Sequence, residues 1–236
     1  IQGTVQHMKY DLAVIGGGPG GYNAAERAAH GVEVRVFYDD VGSIGFIHSK
    51  FVKKLAGRGI QCRRFNPVIP ILNVFMNNRD HRTITVVDGR VGFTGGYNRA
   101  EEYFNRTHPY GQWKDSGIRL EGDAVRGLTL IFLELWGATQ KAAPEVERYL
   151  PDVPYTAREN AVVLPYADNP LDDEAVGETV YLNLINKAKR YVYITTPYLI
   201  LSSEMFTALT SAAKCGVDVR IITPHVPDKW YVHAVS

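Results

Sequence analysis

Apolar and polar positions along this chain alternate with a period of two in several short runs and recur at helical spacing in a few longer ones. Tyr10–Ile15 and Val32–Tyr38 predict strands, separated by a glycine-rich turn at 16–21 and a helix over 23–30. A helix over 49–57, a strand over 60–65, a proline-interrupted loop at 66–70 and a strand over 71–76 follow. Ile84, Val86 and Val87 make a short buried strand, and Asp88-Gly89 supplies the positive φ angles of a two-residue hairpin turn. Val91 and Phe93 begin the return strand, and Ile118–Glu121 predicts another. Leu128, Ile131, Phe132 and Leu135 recur at helical spacing within 125–136, which points to core packing. Pro144, Pro151 and Pro154 mark 137–160 as a linker. Beyond it come a strand over 161–165, a turn at Asp168-Asn169-Pro170, a helix over 174–189, a strand over 191–195, a helix over 204–215 and a strand over 217–223. Strands alternating with helices predict an α/β fold.

A repeat runs through this pattern. Ala28-Ala29-His30-Gly31-Val32-Glu33-Val34-Arg35-Val36 parallels Ala213-Lys214-Cys215-Gly216-Val217-Asp218-Val219-Arg220-Ile221, 185 positions on. Each copy reads as helix end, glycine cap and strand.

Composition narrows the class without naming a function. The 236 residues are 45% hydrophobic and 22% charged, ordinary for a globular protein with a sizeable core. A formal net charge of +1 provides no global field to steer the chain toward nucleic acid, which is not an expected partner. Lys53-Lys54 and Arg63-Arg64 read as solvated faces. Cys62 and Cys215 read as reduced structural thiols, and the seven histidines show no metal-ligand spacing, so neither a metal nor a cofactor is expected. No apolar run approaches the ~20 residues of a membrane span and no signal-peptide pattern is present, which predicts soluble or peripheral behaviour.

The chemistry concentrates in 81–98. His81, Asp88 and Asn98 are expected to converge at one end of the hairpin, with Gly95-Gly96 leaving backbone N–H groups open beside them. An imidazole, a carboxylate, an amide and bare glycine backbone suit attack on a phosphodiester. The competing reading is a surface hairpin with incidental polar ends. Residues 99–116 predict a polar, aromatic loop over the site, and Asp115 reads either as the acid that orients the histidine or as an exposed loop carboxylate. His48-Ser49-Lys50 imitates the start of the same motif, but no aspartate follows, and it reads as a solvated helix start.

The spacing of His81, Asp88, Gly95, Gly96 and Asn98 resembles the phospholipase D superfamily motif, His-x-Lys, four residues, Asp, six residues, Gly-Gly or Gly-Ser, one residue, Asn. Thr83 stands where that motif has lysine. Tyr38-Asp39-Asp40-Val41-Gly42-Ser43, Phe75-Met76-Asn77-Asn78-Arg79-Asp80, Trp113-Lys114-Asp115 and Thr196-Pro197-Tyr198 resemble bacterial cardiolipin synthases, in their order, over roughly 31–236. The resemblance implies a mixed β-sheet flanked by helices, with a first half over 31–150 that carries the motif and a second half over 151–236. If the repeat is structural, the second copy of the motif would fall past Ser236, so the second half is expected to be truncated.

The same resemblance implies a phosphatidyltransferase that joins two phosphatidylglycerol molecules into cardiolipin and releases glycerol through a phosphohistidine. His81 would be the nucleophile, Asp88 and Asp115 would support its geometry or protonation, and Asn98 with the Gly95 and Gly96 N–H groups would bind phosphate. Losing one preorganised donor at a developing oxyanion costs about 10²–10³ in rate, so Thr83 is expected to impair the site. A missing second histidine would remove a general acid worth roughly 10²–10⁴. The family also implies a phospholipid substrate, a membrane surface as partner and a cell-membrane location. Two copies pairing as single-motif members do would make a homodimer.

A second motif lies upstream. Gly16, Gly18 and Gly21, between two strands and followed by Asp39, match the dinucleotide fingerprint, and make these four residues candidate cofactor ligands. Residues 8–30 resemble the N-terminus of dihydrolipoamide dehydrogenase, and that likeness stops near His30. Two resemblances meeting there imply a join, natural or artefactual, of a flavoprotein-like βα segment over 1–30 to the remainder. The strand and helix of 1–30 still permit a right-handed βαβ unit with 32–38, and the helix start at Gly20-Gly21 is expected to hold an anion without forming a complete dinucleotide site. The readings that compete with the transferase are a flavin- or NAD-dependent oxidoreductase fragment, a non-catalytic phospholipid or phosphate binder, and a phosphodiesterase or nuclease of the same superfamily.

Overall fold

A computed structural model describes residues 11–15, 32–40, 43, 49–67, 79–98, 101–140, 145–152, 154–156, 161–169, 172–226 and 228. The predicted glycine turn at 16–21, the helix over 23–30 and the strand over 71–76 lie outside them. The chain divides into two compact units, 1–107 with 114–166, and 108–113 with 167–236.

In the first unit β1 (Asp11–Ile15), β2 (Glu33–Asp39), β3 (Gln61–Phe65), β4 (Ile84–Val87), β5 (Val91–Gly95) and β6 (Gly117–Glu121) form one mixed sheet in the order β3-β2-β1-β4-β5-β6. β1 lies parallel to β2 with Asp11 opposite Glu33, and β2 parallel to β3 with Arg35 opposite Gln61. The two strands of the expected βαβ unit are therefore adjacent and parallel. β4 runs antiparallel to β1, placing Ile84 opposite Ile15, and β4, β5 and β6 follow as an antiparallel meander. Tight turns can join antiparallel strands, whereas parallel ones need crossovers, so the sheet changes character where the hairpin begins.

Side-chain alternation sends β2 into two cores. Val34, Val36 and Tyr38 pack with Leu55 and Ile60 beside α1 (Ser49–Ala56). Phe37 joins Phe65, Ile84, Val86 and Leu120 against α2 (Ala124–Ala138), which contributes Val125, Leu128, Phe132 and Trp136. The helical spacing of Leu128, Phe132 and Leu135 is thus the core stripe of α2, while Ile131 is only partly buried.

One predicted strand is absent. Residues 161–165 form no strand among the described residues, and Val162 and Leu164 are 100% and 82% exposed. Apolar content alone cannot make a strand without a neighbour to take its N–H and C=O groups.

The second unit pairs β7 (Tyr191–Thr195) with β8 (Asp218–Ile222) in parallel, Tyr191 opposite Asp218. α3 (Val176–Lys187) and α4 (Ser203–Lys214) enclose a small core of Ile185, Ala208 and Leu209, with Val192, Ile194 and Val219 against it. Ser202 caps α4 by accepting the Met205 N–H at 3.2 Å. The helix closes at Gly216, φ 89°, where the Val217 N–H reaches the Ala212 carbonyl at 3.1 Å. That is the glycine cap the repeat predicts. Among the described residues no helix is long and apolar enough to cross a membrane.

Candidate active site

The β4–β5 hairpin closes as its sequence predicts. Asp88 and Gly89 both take positive φ, 56° and 62°, and the Arg90 N–H donates to the Val87 carbonyl at 3.0 Å. Asp88 is thereby committed to the turn, while His81 and Asn98 flank the opposite, open end. Seven residues of extended chain separate His81 from Asp88, roughly 20 Å. The expected convergence of His81, Asp88 and Asn98 is therefore corrected: Asp88 cannot form the turn and also stand at the mouth.

The open end occupies a specific place in the sheet. Ile84 faces Ile15 at the end of β1, which in turn faces Phe37 near the end of β2. The mouth of the hairpin therefore opens at the carboxyl ends of the parallel strands, the edge at which α/β sheets bind ligands.

Local sterics explain the glycines. Gly95 has φ 149°, and a Cβ there would come within 2.5 Å of the Gly117 Cα and 2.6 Å of the Ser116 carbonyl oxygen. Gly95 and Gly117 are paired, so Gly95 must lack a side chain for β5 and β6 to meet, and the Tyr97 ring lies over Gly117, where a Cβ would meet it. The Gly96 N–H donates to the Ser116 carbonyl at 3.1 Å, which corrects the expectation of an open phosphate-binding N–H at that residue. Immediately beyond, the Asn98 N–H donates to Asp115 Oδ2 at 2.8 Å. Asp115 is thus brought to the mouth, where its carboxylate holds the backbone of Asn98.

His81 is exposed, and among the described residues its side chain makes no hydrogen bond. Asp115 therefore does not orient the imidazole in this arrangement. Thr83 is half-buried and has the parity of Thr85, on the sheet face away from Ile84 and Val86.

The residues flanking His81 are held far more tightly. Asp39, buried at the end of β2, accepts the Asp80 N–H at 3.0 Å and the Arg79 guanidinium at 3.4 Å. Arg79 also donates to the Asn66 carbonyl just past β3, at 3.2 and 3.3 Å. Asp80, itself buried, accepts Arg82 Nε at 2.6 Å. Burial raises the Asp80 pKa above its ordinary value, and Arg82 works in the opposite direction. Asp39 is thus spent inside the first unit, contrary to its place in a dinucleotide fingerprint, and Gly16, Gly18 and Gly21 lie outside the described residues. Sequence reading gave Arg79 and Asp80 only as part of a family-like segment, without a role, and missed Arg82. Their signal was a run of charge at the entry to a buried strand.

A cavity of about 150 Å³ opens at the far end of the hairpin, lined by Arg90, Glu121, Asp123, Arg126, Asp152 and Tyr155. It sits at the turn and not at the imidazole.

Comparison with known proteins adds to this geometry. A family model described as "Cardiolipin synthase, PLD-like domain" matches residues 181–235. Over 204 residues the chain is 46% identical to an uncharacterized protein of Streptococcus mutans, covering 86% of this chain and 44% of that one. Over 213 residues it is 36% identical to a cardiolipin synthase of Staphylococcus aureus, covering 88% of this chain and 42% of that one. The chain is similar to cardiolipin synthases along most of its length. A solved phosphatidylserine synthase of Haemophilus influenzae has a similar fold, with TM-score 0.54, 12% identity, and coverage of 92% of this chain and 57% of that one. This cardiolipin synthase-like chain spans less than half the length of the curated relatives it matches. It is a phospholipase D-like α/β fold.

Proposed function

We propose that the open end of the β4–β5 hairpin is one half of a phosphatidyl-transfer site, with His81 as the nucleophile. The carrying observation is an exposed imidazole, without a hydrogen bond among the described residues, at the carboxyl edge of the sheet beside Asn98 and Asp115. In this reading an imidazole nitrogen attacks the phosphorus of phosphatidylglycerol. The P–N bond forms as the P–O bond to glycerol breaks, and glycerol takes a proton from a general acid whose conjugate base then accepts the proton of the incoming hydroxyl. The hydroxyl of a second phosphatidylglycerol then displaces the histidine, giving cardiolipin and regenerating the imidazole. The Asn98 amide binds a non-bridging oxygen. Among the described residues Arg82 beside His81 is paired with Asp80 and Arg79 with Asp39, and the Staphylococcus aureus relative is more than twice as long as the stretch it shares with this chain. Thr83 offers one neutral hydroxyl where a lysine would neutralise phosphate charge, so this half-site is slow.

A leaving group that departs without protonation isolates the first step from general-acid catalysis. Incubated with bis(p-nitrophenyl) phosphate, the protein should release a burst of p-nitrophenolate of at most one per molecule and gain the matching mass on His81. Thr83→Lys should accelerate the burst by about 10²–10³, the scale of one preorganised oxyanion contact. His81→Ala should remove it, and a burst that survives that change rules out the nucleophile. Thr83 also motivates a second reading, a non-catalytic phospholipid binder. Its signature is retention on phosphatidylglycerol vesicles with no burst from either wild type or Thr83→Lys.

A further inference from the structure

His81 is exposed and makes no side-chain hydrogen bond among the described residues, yet its two chain neighbours, Asp80 and Arg82, are joined to each other in a charge pair. An exposed nucleophile must still arrive at phosphorus in a defined direction, since reactive geometry is set to within a few tenths of an ångström. With no contact of its own, that direction has to come from the backbone. Among the described residues the backbone entering His81 is held by the Asp80 N–H, which donates to Asp39 Oδ2 at 3.0 Å from a residue 41 positions away. Asp39 is 5% exposed and lies at the last position of β2. Its other oxygen takes the Arg79 guanidinium, and Arg79 reaches on to the Asn66 carbonyl beyond β3. One carboxylate therefore ties the segment that delivers His81 to the carboxyl ends of two parallel strands.

We propose that Asp39 is a positioning residue for His81: it fixes the 79–80 peptide from which the imidazole is presented to phosphorus. This rests on the reading of His81 as nucleophile. Asp39 touches no substrate in this role. It acts through the Asp80 N–H, so what matters is an acceptor oxygen at that point, and the negative charge is secondary.

The experiment uses the burst with bis(p-nitrophenyl) phosphate, recorded against probe concentration, together with ¹⁵N-histidine spectra of the same proteins. Asp39→Ala removes the acceptor and should lower the saturating burst rate about 10²-fold, the usual cost of a misplaced reacting group. The half-saturating concentration should stay near wild type, and the His81 imidazole signals should move or broaden while β8 amides keep their exchange protection. Asp39→Asn keeps an acceptor oxygen and should restore most of the rate. Should the alanine protein not fold, Asp39→Ser, too short to reach the Asp80 N–H, takes its place with the same expected loss. A folded Asp39→Ala or Asp39→Ser protein with the wild-type rate overturns the proposal, as does an Asn variant as slow as the alanine one. His81→Ala separates the two failures. A burst that persists without His81 removes the nucleophile itself, whereas a burst lost with His81 but indifferent to Asp39 removes only the positioning role.

Discussion

β2 and β8 start with the same device, an acid followed two positions later by an arginine, and each unit adds a tyrosine to it. In the first unit Glu33 pairs with Arg35 at 3.0 Å and accepts the Tyr149 hydroxyl at 2.9 Å, with Arg148 on its second oxygen. The Arg35 guanidinium stacks between the rings of Trp136 and Tyr149, at 5.3 and 4.6 Å. In the second unit Asp218 takes Arg220 at 2.9 Å and the Tyr193 hydroxyl at 2.8 Å, and Arg220 lies 5.2 Å from the Tyr193 ring. The chemistry matches, but the environment does not. The side chains of Glu33 and Arg35 are 15% and 16% exposed, those of Asp218 and Arg220 44% and 67%. Tyr193 comes from the adjacent strand, whereas Tyr149 comes from a turn more than a hundred residues away and brings a cover with it.

The cover changes the physics of the pair. A charge taken out of water is tolerated only when partners surround it. Burial works to raise the Glu33 pKa, but the Tyr149 hydroxyl with the Arg35 and Arg148 charges outweighs it and holds the carboxyl below its ordinary 4.5. Burial and Glu33 together push the Tyr149 phenol up to about 12. Asp218 lies below its ordinary 3.8 through its hydrogen bonds from Arg220 and Tyr193, in the open, where solvent screens the interaction. The same local sequence therefore makes a buried brace in one unit and a surface decoration in the other.

The comparison breaks first, if it is wrong, at the cover itself. Trp136 is 1% exposed, stacks on Phe132 at 5.7 Å and carries Arg35 and Arg63 on its ring. Trp136→Ala should cost about 3–5 kcal/mol of the first unit's stability. Phe206→Ala, at a ring 63% exposed in α4, should change the second unit by no more than about 0.5 kcal/mol. Hydrogen exchange resolved on β2 and β8 amides under denaturant reads the two separately, and equal losses would contradict the contrast between buried and exposed copies.

Glu33 sharpens it next. Glu33→Gln strands part of a buried network and should cost about 1–3 kcal/mol. Because the folded carboxyl titrates below its ordinary value, its contribution is complete above pH 4.5 and drains away as pH falls through the lower folded value. Wild type should therefore lose more of its β2 protection on acidification than Glu33→Gln. Parallel acid profiles for the two proteins would show that Glu33 is not the brace.

The smallest effect belongs to the exposed copy. The hydrogen bond to Asp218 is the largest cause raising the Tyr193 phenol above its ordinary 10.0. Asp218→Asn should let Tyr193 ionise at lower pH, seen as an earlier rise in phenolate absorbance, with no movement of the unfolding midpoint. A shifted midpoint would mean that the second copy also braces its unit.

Local sterics carried the readable part of this protein. Asp88-Gly89 had to be a turn, Gly216 had to cap α4, and the 3.6-residue recurrence of Leu128, Phe132 and Leu135 had to face a core, because each depends on residues within one turn of chain. The motif spacing likewise marks His81 and Asn98 from residue order alone, and the pairing of β4 with β5 sets them at one mouth. Counting residues along the strand places Asp88 at the other end.

What the chain could not disclose by itself was long-range pairing. That the Asp39 carboxylate meets the Asp80 N–H, that Tyr149 closes over Glu33, and that Val162 and Leu164 find no sheet to join all depend on which distant segments come to lie side by side. Residue order put Asp39 in the place of the acid in a dinucleotide fingerprint, and its contact with the Asp80 N–H depends on a residue 41 positions away. The sequence by itself determined the turns, the caps, the helix stripes and the order of chemical groups along the strand. The tertiary structure alone decided which charges are buried and which N–H groups are spent, because register and burial arise from contacts between residues tens to more than a hundred positions apart.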